Sequence, residues 1–291
     1  MHYKIQGEWL NISIDEAFPY TTLSDFLNAY YINPKKARTM LDDDVIYLDH
    51  QPLLTLQAPL PFNHQLRLHI FKKEKIDFLP EPLFELEVVY EDAFCLIVNK
   101  PPGYIVYGET KDCQGTLVNV VACYYKTHKI RAAVRPIHRL DKETSGLIFF
   151  SKSSFFQPYF DHLLAAKEIS RKYLARVEGT FPWDDYECQL PIGKDRHTNN
   201  KYIAYKNGKP ACTYFTCLER TDRQSLLRCE LQTGRTHQIR VHLSTLGYPI
   251  INDAIYGKVS DDRPMALTAD ALSWIHPLTS EIMTVNIEKT L

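Results

Sequence analysis

The chain has 291 residues, 45% of them hydrophobic, with 34 Lys and Arg against 35 Asp and Glu, for a formal net charge of −1. That length holds one large domain and a smaller one, and that apolar share can bury a sizeable core. The balance of charge excludes a globally basic nucleic-acid binder, so charge for holding phosphates must be concentrated locally. No apolar run reaches the roughly 18–20 residues of a membrane helix. The seven cysteines are scattered without a C-x-x-C pair, which points to free thiols in a reducing compartment and away from a zinc site. Met1-His2-Tyr3-Lys4 lacks the charged-then-apolar pattern of a secretory leader. The expectation is a cytoplasmic, membrane-free monomer.

Near the N-terminus, Leu23, Phe26, Leu27 and Tyr30 recur at helical spacing. Asn33-Pro34 reads as an N-cap followed by proline in the first turn of a short basic helix over 35–41. Asp42-Asp43-Asp44 ends that helix, 45–48 reads as a strand, Asp49-His50 turns the chain, and 65–71 alternates like a half-exposed strand. Charged and then proline-bearing residues follow, giving a linker over 76–84 between a small unit, 1–75, and a large one, 85–291. In the large unit the apolar runs at 88–90, 94–98, 147–150, 173–177 and 226–231 predict strands, and 117–125 and 155–166 predict helices. Strands outnumber helices and mostly alternate in character. The predicted class is α+β, with a mixed, mostly antiparallel sheet.

The densest chemistry lies in His138-Arg139-Leu140-Asp141-Lys142-Glu143-Thr144-Ser145-Gly146-Leu147. It reads as a loop held against a buried strand. Alternation lets Leu140 anchor on one side while Arg139 and Asp141 share the other. Flanking arginines favour the ionised carboxylate, and a fixed carboxylate is a potential nucleophile. An Asp among basic residues is more often a surface ion pair worth roughly 0–1 kcal/mol. A second cluster, Thr233-Gly234-Arg235-Thr236-His237-Gln238-Ile239-Arg240-Val241-His242-Leu243, shifts that balance. Its density of donors among Ile239, Val241 and Leu243 suits an anion better than a plain core strand. Glu143 reads as a solvated loop residue. Ser145 lies in a turn closed by Gly146 and lacks the G-x-S-x-G elbow of a hydrolase.

These segments resemble the RluA family of pseudouridine synthases. Residues 138–146 match its HRLDxxTSG motif and 234–242 its GRTHQIRxH motif. Tyr173, Ala175, Val177 and Gly179 keep the pattern of its K-x-Y-x-A-x-V-x-G strand, with Lys172 beside the tyrosine and Arg171 where the motif has lysine. Ile97-Val98-Asn99-Lys100-Pro101-Pro102-Gly103 is similar to its first strand and turn, and 247–257 to the segment after the arginine motif. The chain departs from the family at Tyr107-Gly108, where a His-Pro pair is common, and at Leu267-Thr268-Ala269, where Leu-His-Ala is common. Two helices, the second basic, followed by small strands make 1–75 similar to the S4 RNA-binding module, though it lacks that module's glycine and Asn-Gly turn.

The resemblance implies an eight-stranded mixed sheet with a cleft across its middle. It also implies isomerisation of uridine to pseudouridine in structured RNA, ribosomal large-subunit (23S) RNA ahead of tRNA, with no cofactor and no metal. It assigns Asp141 as the catalytic carboxylate, attacking the sugar or taking part in proton removal from it. Arg240 would pair with that carboxylate, Tyr173 would stack on the uracil or move a proton at C5, and Arg139 would stabilise the flipped nucleotide. His138, Lys172, Arg235, His237 and Gln238 are the further substrate-side candidates, with both histidines as hydrogen-bonding supports. Local charge for the RNA backbone is available in three stretches: 126–142, 167–176, and the run of Lys194, Arg196, His197, Lys201, Lys206 and Lys209. A catalytically silent RNA-binding protein of the same fold is the alternative; the intact set of Asp141, Tyr173 and Arg240 argues against it. A glycosidase would need a second placed carboxylate.

Overall fold

The protein is described from a computed structural model covering residues 1–198 and 200–288. The last three residues of the 85–291 unit lie outside the described residues.

The chain opens with a hairpin, β1 (Tyr3–Gln6) and β2 (Trp9–Ile14), joined across Gly7-Glu8 with Gly7 at φ +59°. Tyr3-Lys4-Ile5-Gln6 is too short and too polar to show a period, so nothing in the sequence announces this hairpin. In α1 (Leu23–Ala29), Thr22 and Asp25 form a reciprocal capping box. In α2 (Pro34–Asp42), the Asn33 side chain accepts from the Lys36 amide at 2.8 Å. β3 (Ile46–Leu48), β4 (Gln51–Pro52) and β5 (His64–Leu68) complete an antiparallel sheet of order β1-β2-β5-β3-β4.

The larger sheet is built from β6 (Glu87–Glu91), β7 (Cys95–Lys100), β8 (Arg135–Pro136), β9 (Ser145–Ser151), β10 (Ser170–Glu178) and β11 (Asp185–Cys188). After a separate hairpin, β12 (Ile192–Lys194) and β13 (Tyr202–Ala204), it continues with β14 (Thr213–Arg220), β15 (Gln224–Leu231), β16 (Leu267–Ile275) and β17 (Ile282–Asn286). Three helices are interleaved: α3 (Leu117–Thr127), α4 (Gln157–Ala165) and α5 (Gln238–Thr245). The strand order is β11-β14-β15-β10-β16-β9-β7-β6, with β17 beside β16 and β8 beside β9. This is a mixed, mostly antiparallel α+β architecture.

The parallel pair β16·β9 joins the two antiparallel halves. At this seam Gly146 has φ +114°, and a Cβ there would stand 2.2 Å from the Ala269 carbonyl oxygen. Only glycine fits, in conformation and in space. The expectation of a turn at Ser145-Gly146 is therefore corrected. These residues open β9, and the Ser145 hydroxyl hydrogen-bonds Thr268 Oγ1 across the seam.

β7 and β9 are buried on both faces, which is why they read as unbroken apolar runs. Leu96, Val98, Ile148 and Phe150 face a core closed by α3 and α5. Cys95, Ile97, Leu147 and Phe149 face one closed by α4 and by the N-terminal sheet. That second core is continuous across residues 1–71 and the large sheet. Tyr30 donates to the Pro277 carbonyl at 2.8 Å, and its ring packs on Phe155 and Phe156. Between β5 and β6 the chain has no helix or strand, but it is tied down. Glu74 pairs with Arg135 at 2.5 Å, and Asn119 donates to the Leu79 carbonyl at 2.9 Å.

Candidate active site

The loop between β8 and β9 presents Asp141. Buried Ile137 and Leu140 anchor it, and the Thr144 amide closes a turn onto the Asp141 carbonyl at 3.2 Å. Arg139 points outward with its guanidinium 5.6 Å from the Tyr107 ring centre. Lys100 is fully buried at the end of β7 and donates to the carbonyls of Pro101, Tyr104 and Lys142 at 2.9, 2.8 and 3.0 Å. Those bonds stitch the β7 turn to the residue after Asp141.

Across the cleft, the second cluster forms α5 rather than an extended segment. Ile239, Val241 and Leu243 alternate, yet every residue from Gln238 to Leu243 is buried, so a helix enclosed all round also satisfies the pattern. His237 precedes it at φ 56°. Arg240 is 3% exposed. Its Nε and Nη2 each donate to Asp253 at 2.8 Å, and its Nη1 donates to Asp141 Oδ2 at 3.3 Å. Burial opposes the guanidinium charge, but the bonds and charge of Asp253, then of Asp141, outweigh it and raise the pKa. Asp253 is fully buried and also accepts from the amides of Ile255 and Tyr256 at 3.0 and 3.1 Å. The fork-to-fork pair with Asp253 fixes Arg240, and Arg240 in turn fixes Asp141.

His237 Nε2 lies 3.8 Å from Asp141 Oδ2, while its Nδ1 meets the Tyr256 hydroxyl at 2.9 Å. That hydroxyl also accepts from the Tyr202 amide at 2.9 Å. Burial pushes Tyr256 up to about 12, so it keeps its proton, and burial pushes His237 down against the opposing charge of Asp141. When the Tyr256 hydroxyl donates to Nδ1, the neutral ring carries its own proton on Nε2, facing Asp141.

Tyr173 on β10 lines the same cavity. Burial raises its pKa, with Arg171 opposing and Asp141 adding, so it faces the site as a protonated phenol. Strand alternation places Arg171 on that face and Lys172 on the other. Lys172 pairs with Glu230 at 3.0 Å across β15, away from the cavity, so it is not among the residues gathered here. Gln238 lines the cavity, but its amide is engaged within the protein. Its Oε1 accepts from Thr233 Oγ1 at 2.7 Å and the Arg235 amide at 3.0 Å, and its Nε2 reaches the Cys212 carbonyl and Thr213 Oγ1, both at 2.9 Å. A side chain so saturated shapes the loop and has nothing left for substrate. Arg235 stays at the rim, with Nε on the Pro210 carbonyl at 2.9 Å.

His138 is buried in the cavity wall and accepts from the Phe149 amide at 3.3 Å. Burial, helped by Arg171, pushes it down to about 3, so the folded protein holds it neutral where the unfolded chain takes a proton. Stability contributed by the neutral ring is therefore present above about pH 6.5 and lost as pH falls toward 3. Between pH 7 and pH 5 this group alone should remove about 2 kcal/mol. Urea unfolding of His138→Gln should show a pH loss smaller by that amount. Equal losses in variant and parent would refute the buried neutral ring.

Together these walls enclose a cavity of about 420 Å³ with Asp141 and Arg240 at its base, Tyr173 and Arg171 on one side, and Arg139, Tyr107 and Arg235 at the mouth. Asp253, Tyr256 and Tyr107 were absent from the candidates read from sequence, and Arg171 stood there only as charge for the RNA backbone. Alternation counted back from Tyr173 would have found Arg171. Among the described residues, no group of three or more His, Cys, Asp or Glu could hold a metal ion. The site offers one carboxylate among several guanidinium groups, a phenol, and room for a planar ring.

A family model described as RNA pseudouridylate synthase matches residues 95–245. The uncharacterized RNA pseudouridine synthase YlyB of Bacillus subtilis is 38% identical over 222 residues, 75% of this chain and 73% of that protein. Ribosomal large subunit pseudouridine synthase D of Neisseria meningitidis serogroup B is 37% identical over 74% of this chain, which spans 60% of that longer protein. An uncharacterized RNA pseudouridine synthase of Aquifex aeolicus is 28% identical over 99% of this chain and 93% of its own length. Among solved structures, human RNA pseudouridylate synthase domain containing 1 superposes with a TM-score of 0.61 at 25% identity, covering 72% of this chain and 86% of that one. With its HRLDxxTSG loop, its arginine helix and these relatives, the chain belongs to the RluA family of RNA pseudouridine synthases.

Proposed function

We propose that this enzyme converts specific uridines of large-subunit ribosomal RNA to pseudouridine, with Asp141 as the catalytic carboxylate and no cofactor. The observation that carries the proposal is Asp141 held by Arg240 at 3.3 Å on the floor of a cavity lined by Tyr173. The reaction breaks the N1–C1′ bond, forms a C5–C1′ bond and moves one proton from C5 to N1, so nothing is oxidised or reduced. Asp141 would meet the ribose, by attack or by proton removal; both routes need its charge and fixed orientation. Tyr173 would pack on the uracil and carry a proton at C5. Arg139 and Arg171 would hold the nucleotide once it leaves its stack, a step costing a few kcal/mol. The name of the Neisseria relative favours ribosomal RNA.

In the same proposal, residues 1–75 are an S4-like RNA-binding unit, 76–84 join it to the catalytic unit 85–291, and the enzyme works as a cytoplasmic monomer. Removing 1–75 would uncover Phe94, Phe155 and Phe156, so charge reversal at exposed Lys35 and Arg38 is the cleaner way to test for RNA contact there. The function itself is tested by mapping pseudouridines in cells with and without the protein. One or a few large-subunit sites should disappear, and the purified protein should restore them without added cofactor. Loss confined to tRNA would overturn the choice of ribosomal RNA. Unchanged maps would overturn the assignment.

A further inference from the structure

On the far side of Gly234-Arg235-Thr236 lies a second cavity, of about 550 Å³, walled by the β12–β13 hairpin and the turn that follows. Lys194, Arg196, Lys209 and Arg235 line it, and no carboxylate does. Elsewhere basic groups are often neutralised, as Lys172 is by Glu230 and Arg228 by Asp270. Among the described residues these four form no ion pair. Like charges crowded around a concavity repel one another unless an anion enters. Tyr205 is exposed at this cavity, seated over Gly193, where a Cβ would come within 3.2 Å of its ring. The shared wall is stiff, because Gln238 holds the Arg235 amide and Pro210 holds the Arg235 guanidinium.

We infer that this cavity holds a second nucleotide of the same RNA strand, its phosphate among Lys194, Arg196 and Lys209 and its base on Tyr205. The strand then crosses the 234–236 wall between the two cavities, and the second grip helps set which uridine reaches Asp141. This inference rests on the first cavity being the uridine site. Fluorescein-labelled decauridylate RNA, titrated by anisotropy over rising salt, tests it. Removing two phosphate contacts in Lys194→Ala/Lys209→Ala should flatten the log–log salt slope by roughly 1.4 and weaken binding about tenfold or more. Tyr205→Ala should weaken binding about fivefold or more with the slope unchanged, while Asp141→Asn should bind as the parent does. All these side chains except Asp141 are exposed, so thermal unfolding should not change. An unaltered slope in the double variant overturns the inference. A silent Tyr205→Ala would leave the cavity holding only a backbone phosphate and overturn the nucleotide reading. Failure of the isomerase proposal would appear separately, as absent turnover by the parent enzyme.

Discussion

Asp141→Asn is expected to lower turnover by at least about four orders of magnitude while leaving RNA affinity within about twofold. The two side chains have the same shape, and the amide oxygen can still accept from Arg240 Nη1, which now lies 3.3 Å from the carboxylate. What disappears is the charge that, in the proposed reaction, attacks the sugar or takes its proton, and losing a reacting group can remove about as much rate as removing its whole constellation. The fold should hardly notice. Asp141 is only partly buried, and Arg240 keeps both bonds to Asp253. The C5 hydrogen must leave when the C5–C1′ bond forms, so tritium release from C5-labelled large-subunit RNA reads the reaction directly. A variant within about tenfold of the parent would remove Asp141 from the chemistry.

Arg240→Met is expected to abolish activity for two reasons that must be separated. The change frees Asp141, but it also leaves Asp253, fully buried, as an unpaired charge, which destabilises a protein by about 3–5 kcal/mol. Arg240→Met/Asp253→Asn removes that stranded charge. Urea unfolding should then recover at least about 2 kcal/mol over the single variant, while the rate stays at least about 100-fold below the parent. Arg240→Lys should also be slow, because one ammonium cannot reproduce the fork on Asp253 and still reach Asp141. A double variant with near-parental rate would mean that the contact between Arg240 and Asp141 is incidental.

The Asp141 loop could be read from sequence because its parts agree. Leu140 and the apolar run after Gly146 fix which side faces inward, although Ser145 and Gly146 open the strand where a turn was expected. The start of α2 was legible for a similar reason, since Asn33 and Pro34 have few other uses in sequence. The second cluster was harder. An alternating apolar pattern and an enclosed helix bury the same residues, so α5 does not announce itself. Lys172 stands beside Tyr173 in the motif, but adjacent residues in a strand face opposite ways. Gln238 looked like a substrate contact because only its four partners show that its capacity is used. Asp253 lies 13 residues beyond Arg240, and nothing in their spacing joins them. Phe26 and Tyr30 would suit a self-contained small core equally well; that they share one with Phe155 and Phe156 is a property of packing alone.

The most direct test is an experimental structure of Asp141→Asn bound to a large-subunit RNA fragment that carries a site modified by the parent. The expected complex has one uridine out of its stack and inside the cavity, its ring on Tyr173, with residue 141 within about 3.5 Å of C1′ or C2′ of that ribose. A uridine bound elsewhere, with residue 141 and Arg240 facing only solvent, would contradict the central claim.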